Sequence, residues 1–175
     1  MSPDIRVYGV VGGIVITVFL TVFLTKNRTR SFIFETILRV SLGIDGFGSI
    51  ISFFIHIFLS DEIARSIGWQ TGSPFQYEVA VANLAIGIIS FMCFWRRDFY
   101  FPAVIAKSVF AVGVGIIHLL DLFATDNVSP GNAGAILFWD LIRPIIFIGF
   151  YIIYKRYYKT EVYKHYQNMA NNLKK

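Results

Sequence analysis

Residues 7–25 carry no charge, and four more apolar runs of similar reach follow at 32–59, 74–95, 102–123 and 133–154. A helix needs about 20 apolar residues to cross a bilayer core of about 30 Å. Hydrocarbon offers no water to backbone N–H and C=O groups, so a crossing helix must satisfy them within itself. Composition agrees: 55% of the 175 residues are hydrophobic and 15% charged, where a soluble domain carries about 25% charge. A disordered chain, a coiled coil, a disulfide scaffold and a soluble enzyme are excluded. The expected fold is all-α, an integral membrane bundle of five transmembrane helices. Residues 1–154 form one transmembrane domain and 155–175 a basic amphipathic tail. Gly43, Gly46 and Gly48 flank Asp45 in the second run, and glycine loosens a helix, so that span is expected to be broken or kinked there. The first run is not a removable signal, because its basic cluster follows it rather than precedes it.

Charge gives the direction. Eleven of the sixteen Lys and Arg residues fall in the loops after the first and third runs and in the tail. With five spans, those three segments share one side. By the positive-inside rule the N-terminus is outside and the C-terminus cytoplasmic, in a cell (prokaryotic plasma or inner) membrane. Trp69, Phe75 and Tyr77 mark the outer interface, and Trp95, Phe99, Tyr100 and Phe101 the inner one. The net charge of +5 is thus largely a topology signal, and nucleic acid is not an expected partner. The tail repeats Tyr158, Val162, Tyr166, Met169 and Leu173 along one helical face, with a basic face opposite. It suits anionic lipid headgroups, with extension of the fifth helix into solvent as the alternative.

Turn signals place the outer loops. Ser73 to Gln76 reads as a capping box with Pro74 at the first helical position. Ser60 reads as the N-cap of a short helix ending at Gly68. Ser129-Pro130-Gly131-Asn132 reads as a type II turn, with Asn132 capping the fifth helix. Gly9 with Gly13, and Ala111 with Gly115, are small pairs suited to close helix packing, and a homo-oligomer through the first helix is conceivable on that basis.

Ionisable groups inside a membrane are costly and are functional candidates by default. Glu35 and Arg39 form an i,i+4 pair near the inner end, and Lys107 is expected to snorkel inward. The remaining polar residues gather in the outer half: Asp45, Glu78, Asn83, His118, Asp121, Asn132, Asp140 and Arg143. Threading brings them together as an outward-facing, ligand-binding pocket. His56, farther out, is expected to face the headgroups. His118 with Asp121 and Glu78 could do general acid–base chemistry, although a plain His118–Asp121 hydrogen bond is about as good a reading. Asp140 and Arg143 share a face and could simply neutralise each other or pair with Asp121. Pro144 is expected to kink the helix. There is no H-x-x-x-H or H-E-x-x-H spacing, and no metal or other cofactor is expected. The lone Cys93 cannot form an intrachain disulfide.

The run from Ile67 through Glu78 (Ile-Gly-Trp-Gln-Thr-Gly-Ser-Pro-Phe-Gln-Tyr-Glu), with Ala82-Asn83-Leu84-Ala85 and Gly87 after it, resembles a block from an uncharacterised family of small polytopic membrane proteins of bacteria and archaea. His118 with Asp121, Gly131 to Gly134, and Asp140 with Pro144 follow in the same order. The likeness covers roughly residues 35–150 and implies no activity. A looser likeness, by size and architecture, is to DoxX-type membrane proteins. Three functions stay open: binding or passage of a small polar solute, ion or proton; a membrane enzyme acting on a lipid or isoprenoid-like substrate; and a structural accessory subunit.

Overall fold

The computed structural model describes residues 3–25 and 29–173. Lys26, Arg28, Lys174 and Lys175 of the basic clusters lie outside them. The described residues are mostly helical, with no strand among them, in the order α1 (Pro3–Leu24), α2 (Arg30–Phe58), α3 (Ser60–Ile67), α4 (Phe75–Phe91), α5 (Tyr100–Thr125), α6 (Pro130–Ala133) and α7 (Ala135–Asn172). Short 3-10 turns, Met92–Phe94 and Arg97–Phe99, join α4 to α5. Among the described residues, four helical stretches are long and apolar enough to cross a membrane: Arg30–Phe58, Phe75–Phe94, Arg97–Thr125 and Pro130–Asn172. In α1 the shorter apolar stretch Val15–Leu24 stands out.

α2 runs unbroken through the glycines around Asp45. The expected break is absent because those glycines serve packing. A Cβ on Gly46 would stand 2.6 Å from the Phe91 nitrogen and 2.9 Å from the Gly87 carbonyl. A Cβ on Gly87 would meet the Gly46 carbonyl at 3.0 Å. The two helices therefore touch backbone to backbone, a contact only small residues permit. Gly115 leaves room between α5 and α7 for a side chain, with Leu141 Cδ2 at 3.0 Å from its would-be Cβ. Gly13, in contrast, faces open space.

The loops differ from expectation in instructive ways. Gly68 ends α3 in the left-handed region at φ 86°, as read. Ser60 lies inside that helix, however, and Leu59 is its cap. Ser73 Oγ accepts from the Phe75 nitrogen at 3.3 Å, but Gln76 turns inward instead of reaching back. Residues 130–133 are a helical turn, not a type II turn: the nitrogens of Asn132 and Ala133 donate to the Ser129 carbonyl at 2.8 and 2.9 Å. Proline is equally at home at the first position of such a turn. Gly131 is small there because its Cβ would meet the Ser66 carbonyl at 2.6 Å. Gly134, not Asn132, precedes α7.

The bundle has two distinct ends. At one, Thr29 caps α2 by accepting from the Phe32 nitrogen at 3.2 Å, and Phe34 stacks on Tyr157 of α7 with ring centroids 5.3 Å apart. Arg97 and α7's Tyr154 also lie there. At the other end lie α3, Trp69, Asn127 and α6. α7 continues without interruption through Pro144 and on to Asn172.

A buried charge chain and an outer polar layer

Lys107 is among the most buried side chains of the protein, 2% exposed, and does not snorkel. Its ammonium lies 2.5 Å from Asp45 Oδ2. It also donates to the Asp45 carbonyl at 3.1 Å and to Ser49 Oγ at 2.5 Å. The other oxygen of Asp45 accepts from Arg143 Nη1 at 3.3 Å. Arg143 Nη2 donates in turn to Asp140 Oδ1 at 2.7 Å. Lys107, Asp45, Arg143 and Asp140 thus form one continuous chain across α5, α2 and α7, with two positive and two negative charges. Asp45 and Ser49 share a face by i,i+4 spacing, and Asp140 and Arg143 by i,i+3. Asp45 sits mid-helix, roughly 20 Å from either end of α2 at 1.5 Å per residue. Arg143 Nε is buried and has no partner. Proline at 144 withholds the N–H that the Asp140 carbonyl would otherwise receive. Two polar groups beside the chain are therefore left for water, the usual occupant of such sites.

A second layer lies toward the α3 end. His118, buried, shares a hydrogen bond with Asn132: Nδ1 lies 2.7 Å from Asn132 Oδ1. The Asn132 amide nitrogen donates to the Asn127 carbonyl at 2.8 Å and to the His118 carbonyl at 3.4 Å. That fixes Oδ1 as the acceptor, so His118 donates to it from Nδ1. The Trp69 ring stacks on His118 with centroids 5.8 Å apart. Asp121 does not pair with His118. Its Oδ2 accepts from Trp69 Nε1 at 2.8 Å and Asn127 Nδ2 at 2.6 Å, and its Oδ1 from Thr125 at 3.1 Å. Asp121 ties three segments together, and the expected acid–base dyad is not assembled. An open surface cleft borders it, lined by Gly68, Trp69, Gln70, Asp121, Thr125 and Asn127.

The eight residues expected in one pocket therefore separate. Asp45, Asp140 and Arg143 join Lys107. His118 joins Asn132, and Asp121 sits with Trp69. Glu78 is exposed, and Asn83 donates to the Val79 carbonyl of its own helix at 3.0 Å. Neither reaches the others, because the α4 face that meets α2 is the one carrying Gly87 and Ser90. His56 bonds to Gln76 at 2.8 Å.

At the opposite end Glu35 is paired with Arg97, not with Arg39. Arg97 Nε and Nη2 donate to its two oxygens at 2.6 and 2.9 Å, and the Tyr100 hydroxyl at 3.3 Å. A planar guanidinium matches both oxygens of a carboxylate, which intrahelical spacing rarely allows. Between this group and the charge chain stands an apolar layer that includes Leu38, Leu42, Ala103, Val104 and Phe147.

Sequence reasoning missed Lys107, Ser49, Trp69, Asn127 and Gln76 as partners. A signal for Lys107 existed: Ala103, Lys107, Ala111, Gly115 and His118 form one stripe of α5, all buried, while Ile105, Val109, Val112, Ile116 and Leu120 are exposed. In a membrane helix small and polar residues mark the packed face. Among the described residues no three His, Cys, Asp or Glu side chains converge as a metal site.

No curated protein and no solved structure matches the chain. A family model does, over residues 5–160, farther at both ends than the sequence likeness suggested. On these grounds the chain, an all-helical bundle with apolar helices fit for a membrane, belongs to a family of unknown function (DUF6790).

Proposed function

We propose that this is a five-span cell-membrane protein, N-terminus outside and C-terminus cytoplasmic, that binds or passes a small polar solute, ion or proton. The observation that carries this reading is the charge chain of Lys107, Asp45, Arg143 and Asp140. A charged side chain at a helix centre in a bilayer costs about 2.5–3.5 kcal/mol on insertion scales. Well-packed apolar residues replace buried ion pairs at little or no loss. Four such charges in one place therefore point to work beyond packing. His118 and the cleft beside Trp69 and Asp121 form the outer approach to them. The separation of His118 from Asp121 takes away the dyad that an enzyme would use. The pairing of the four charges with one another favours a second reading, an accessory subunit whose charges hold three helices in register.

The five-span topology rests on α1 crossing as well, with the basic end of the bundle inside. α7, at 38 residues, would be about 57 Å long at 1.5 Å per residue, well beyond a 30 Å core. Its last turns leave the bilayer among anionic headgroups, presenting Lys155, Arg156 and Lys159. Enzyme fusions to the C-terminus test the orientation: phosphatase activity there would refute it. Function is tested in liposomes of the purified protein. Influx of radiolabelled sodium, rubidium and chloride and internal acidification are compared with protein-free liposomes. At least one rate should rise; if none does, the accessory reading stands.

A further inference from the structure

We propose that the species handled is the proton, and that the Lys107–Asp45 pair carries it. This rests on the functional reading above and narrows it. The two groups are 6% exposed or less by side chain, and Lys107 Nζ lies 2.5 Å from Asp45 Oδ2, an ion-pair contact that leaves Oδ2 without a hydrogen bond of its own. Lys107 can pass a proton from Nζ to Asp45 Oδ2: an N–H bond breaks, an O–H bond forms, and a neutral amine and neutral acid result. The pair has the same net charge before and after. Asp45 then releases that proton and the Lys107 amine takes up another from the opposite side, which restores the ion pair and moves one proton per cycle; the internal transfer itself adds no charge to the four-residue chain.

The surroundings suit that exchange. From α7, Arg143 faces the pair as a charge that does not titrate, and Asp140 balances it. From α2, Ser49 Oγ accepts from Lys107 at 2.5 Å and donates to the Asp45 carbonyl at 3.2 Å, a hydroxyl able to hand on a proton. From the end of α4, the Cys93 thiol lies within electrostatic reach of Lys107. On α5 itself, His118 lies within electrostatic reach of both Asp121 and Asp140. The unpartnered Arg143 Nε offers a water position in this region. The apolar layer of Leu42, Val104 and Phe147 beyond Lys107 insulates the pair from Glu35 and Arg97, so continuous leakage is blocked at rest.

The test uses the full-length protein in liposomes with an entrapped pH dye and a potassium diffusion potential set by valinomycin. Lys107→Arg keeps the charge and the ion pair but cannot release a proton, so acidification should fall about tenfold or more. The double variant Lys107→Gln with Asp45→Asn keeps the net charge, removes both proton groups, and should lose flux equally. Glu62→Gln, on an exposed carboxylate of α3, should keep it. Gel filtration and thermal unfolding confirm that each variant is folded. Acidification unchanged in a folded Lys107→Arg or in the folded double variant overturns the inference. Sodium, rubidium or chloride flux with no proton flux overturns it too while leaving the broader reading intact. No flux of any species overturns both.

Discussion

Replacing Lys107 by Met removes an ammonium that holds Asp45 Oδ2 at 2.5 Å, the Asp45 carbonyl at 3.1 Å and Ser49 at 2.5 Å. The chain of four charges then has an uncompensated negative charge. Arg143, 3.3 Å from Asp45 and 2.7 Å from Asp140, must serve two carboxylates alone. Breaking a buried pair in this way costs about 3–5 kcal/mol. Asp45→Asn alone leaves Lys107 as the stranded charge and should cost a similar amount. The double variant, Lys107→Met with Asp45→Asn, leaves Arg143 and Asp140 as a neutral pair, and should lose no more than about 3 kcal/mol relative to the parent. Additivity would give about 6–10 kcal/mol, so a coupling of at least about 3 kcal/mol is expected. The assay is equilibrium unfolding by SDS in mixed micelles, followed by tryptophan fluorescence, since Trp139 adjoins Asp140 in sequence. A double variant whose loss equals the sum of the singles within about 0.5 kcal/mol would show no coupling. That result would refute the idea that the charges act as one chain.

Other contacts make independent predictions. Gly46→Ala should destabilise by about 1–3 kcal/mol, because its Cβ meets the α4 backbone; Gly113→Ala, which faces open space, should be neutral or stabilising by up to about 1 kcal/mol. Thermal unfolding of the pair measures the contrast, and equal effects would count against the close α2–α4 contact. Trp69→Phe keeps the ring over His118 but deletes the N–H to Asp121, and should cost about 1–2 kcal/mol; proteolysis of the α3–α4 loop should quicken with it. Asn132→Leu strands the Asn127 carbonyl and His118 Nδ1 in the interior and should cost about 2–3 kcal/mol or more, read by the same SDS titration.

Much of the frame was legible because it is written along the chain. Long apolar runs mark α2, α4, α5 and α7, and the basic residues Arg97 and Lys155 do lie at one end of the bundle. Gly68 ends α3 because a left-handed residue is cheapest as glycine. The pairing of charges was legible only in part. Asp140 and Arg143 are neighbours on their own helix, so spacing found them. Glu35 and Arg39 have equally good spacing, yet Arg97, about 60 residues away, takes the carboxylate. Sequence spacing ranks local partners and is silent on remote ones.

Lys107 shows where the limit lies. Depth can be estimated from the distance to the nearest basic end, and by depth alone a lysine two turns into a helix can snorkel. Rotation about the helix axis decides the matter, and that is fixed by packing. In α5 the small residues Ala103, Ala111 and Gly115 turn one face inward so that α7 can approach Gly115 closely. Lys107 lies on that face, so its ammonium cannot reach water without giving up the α5–α7 contact. It needs an anion at its own level, and Asp45 is the residue α2 presents there. The same glycines that were read as loosening α2 let α4 pack hard against it, and an unbroken α2 keeps Asp45 and Ser49 in register with Lys107. Close packing by small residues and the buried charge chain are therefore one arrangement: enlarging Gly115 should press on Leu141, the neighbour of Asp140 in α7, and so disturb the charges as well as the helix contact.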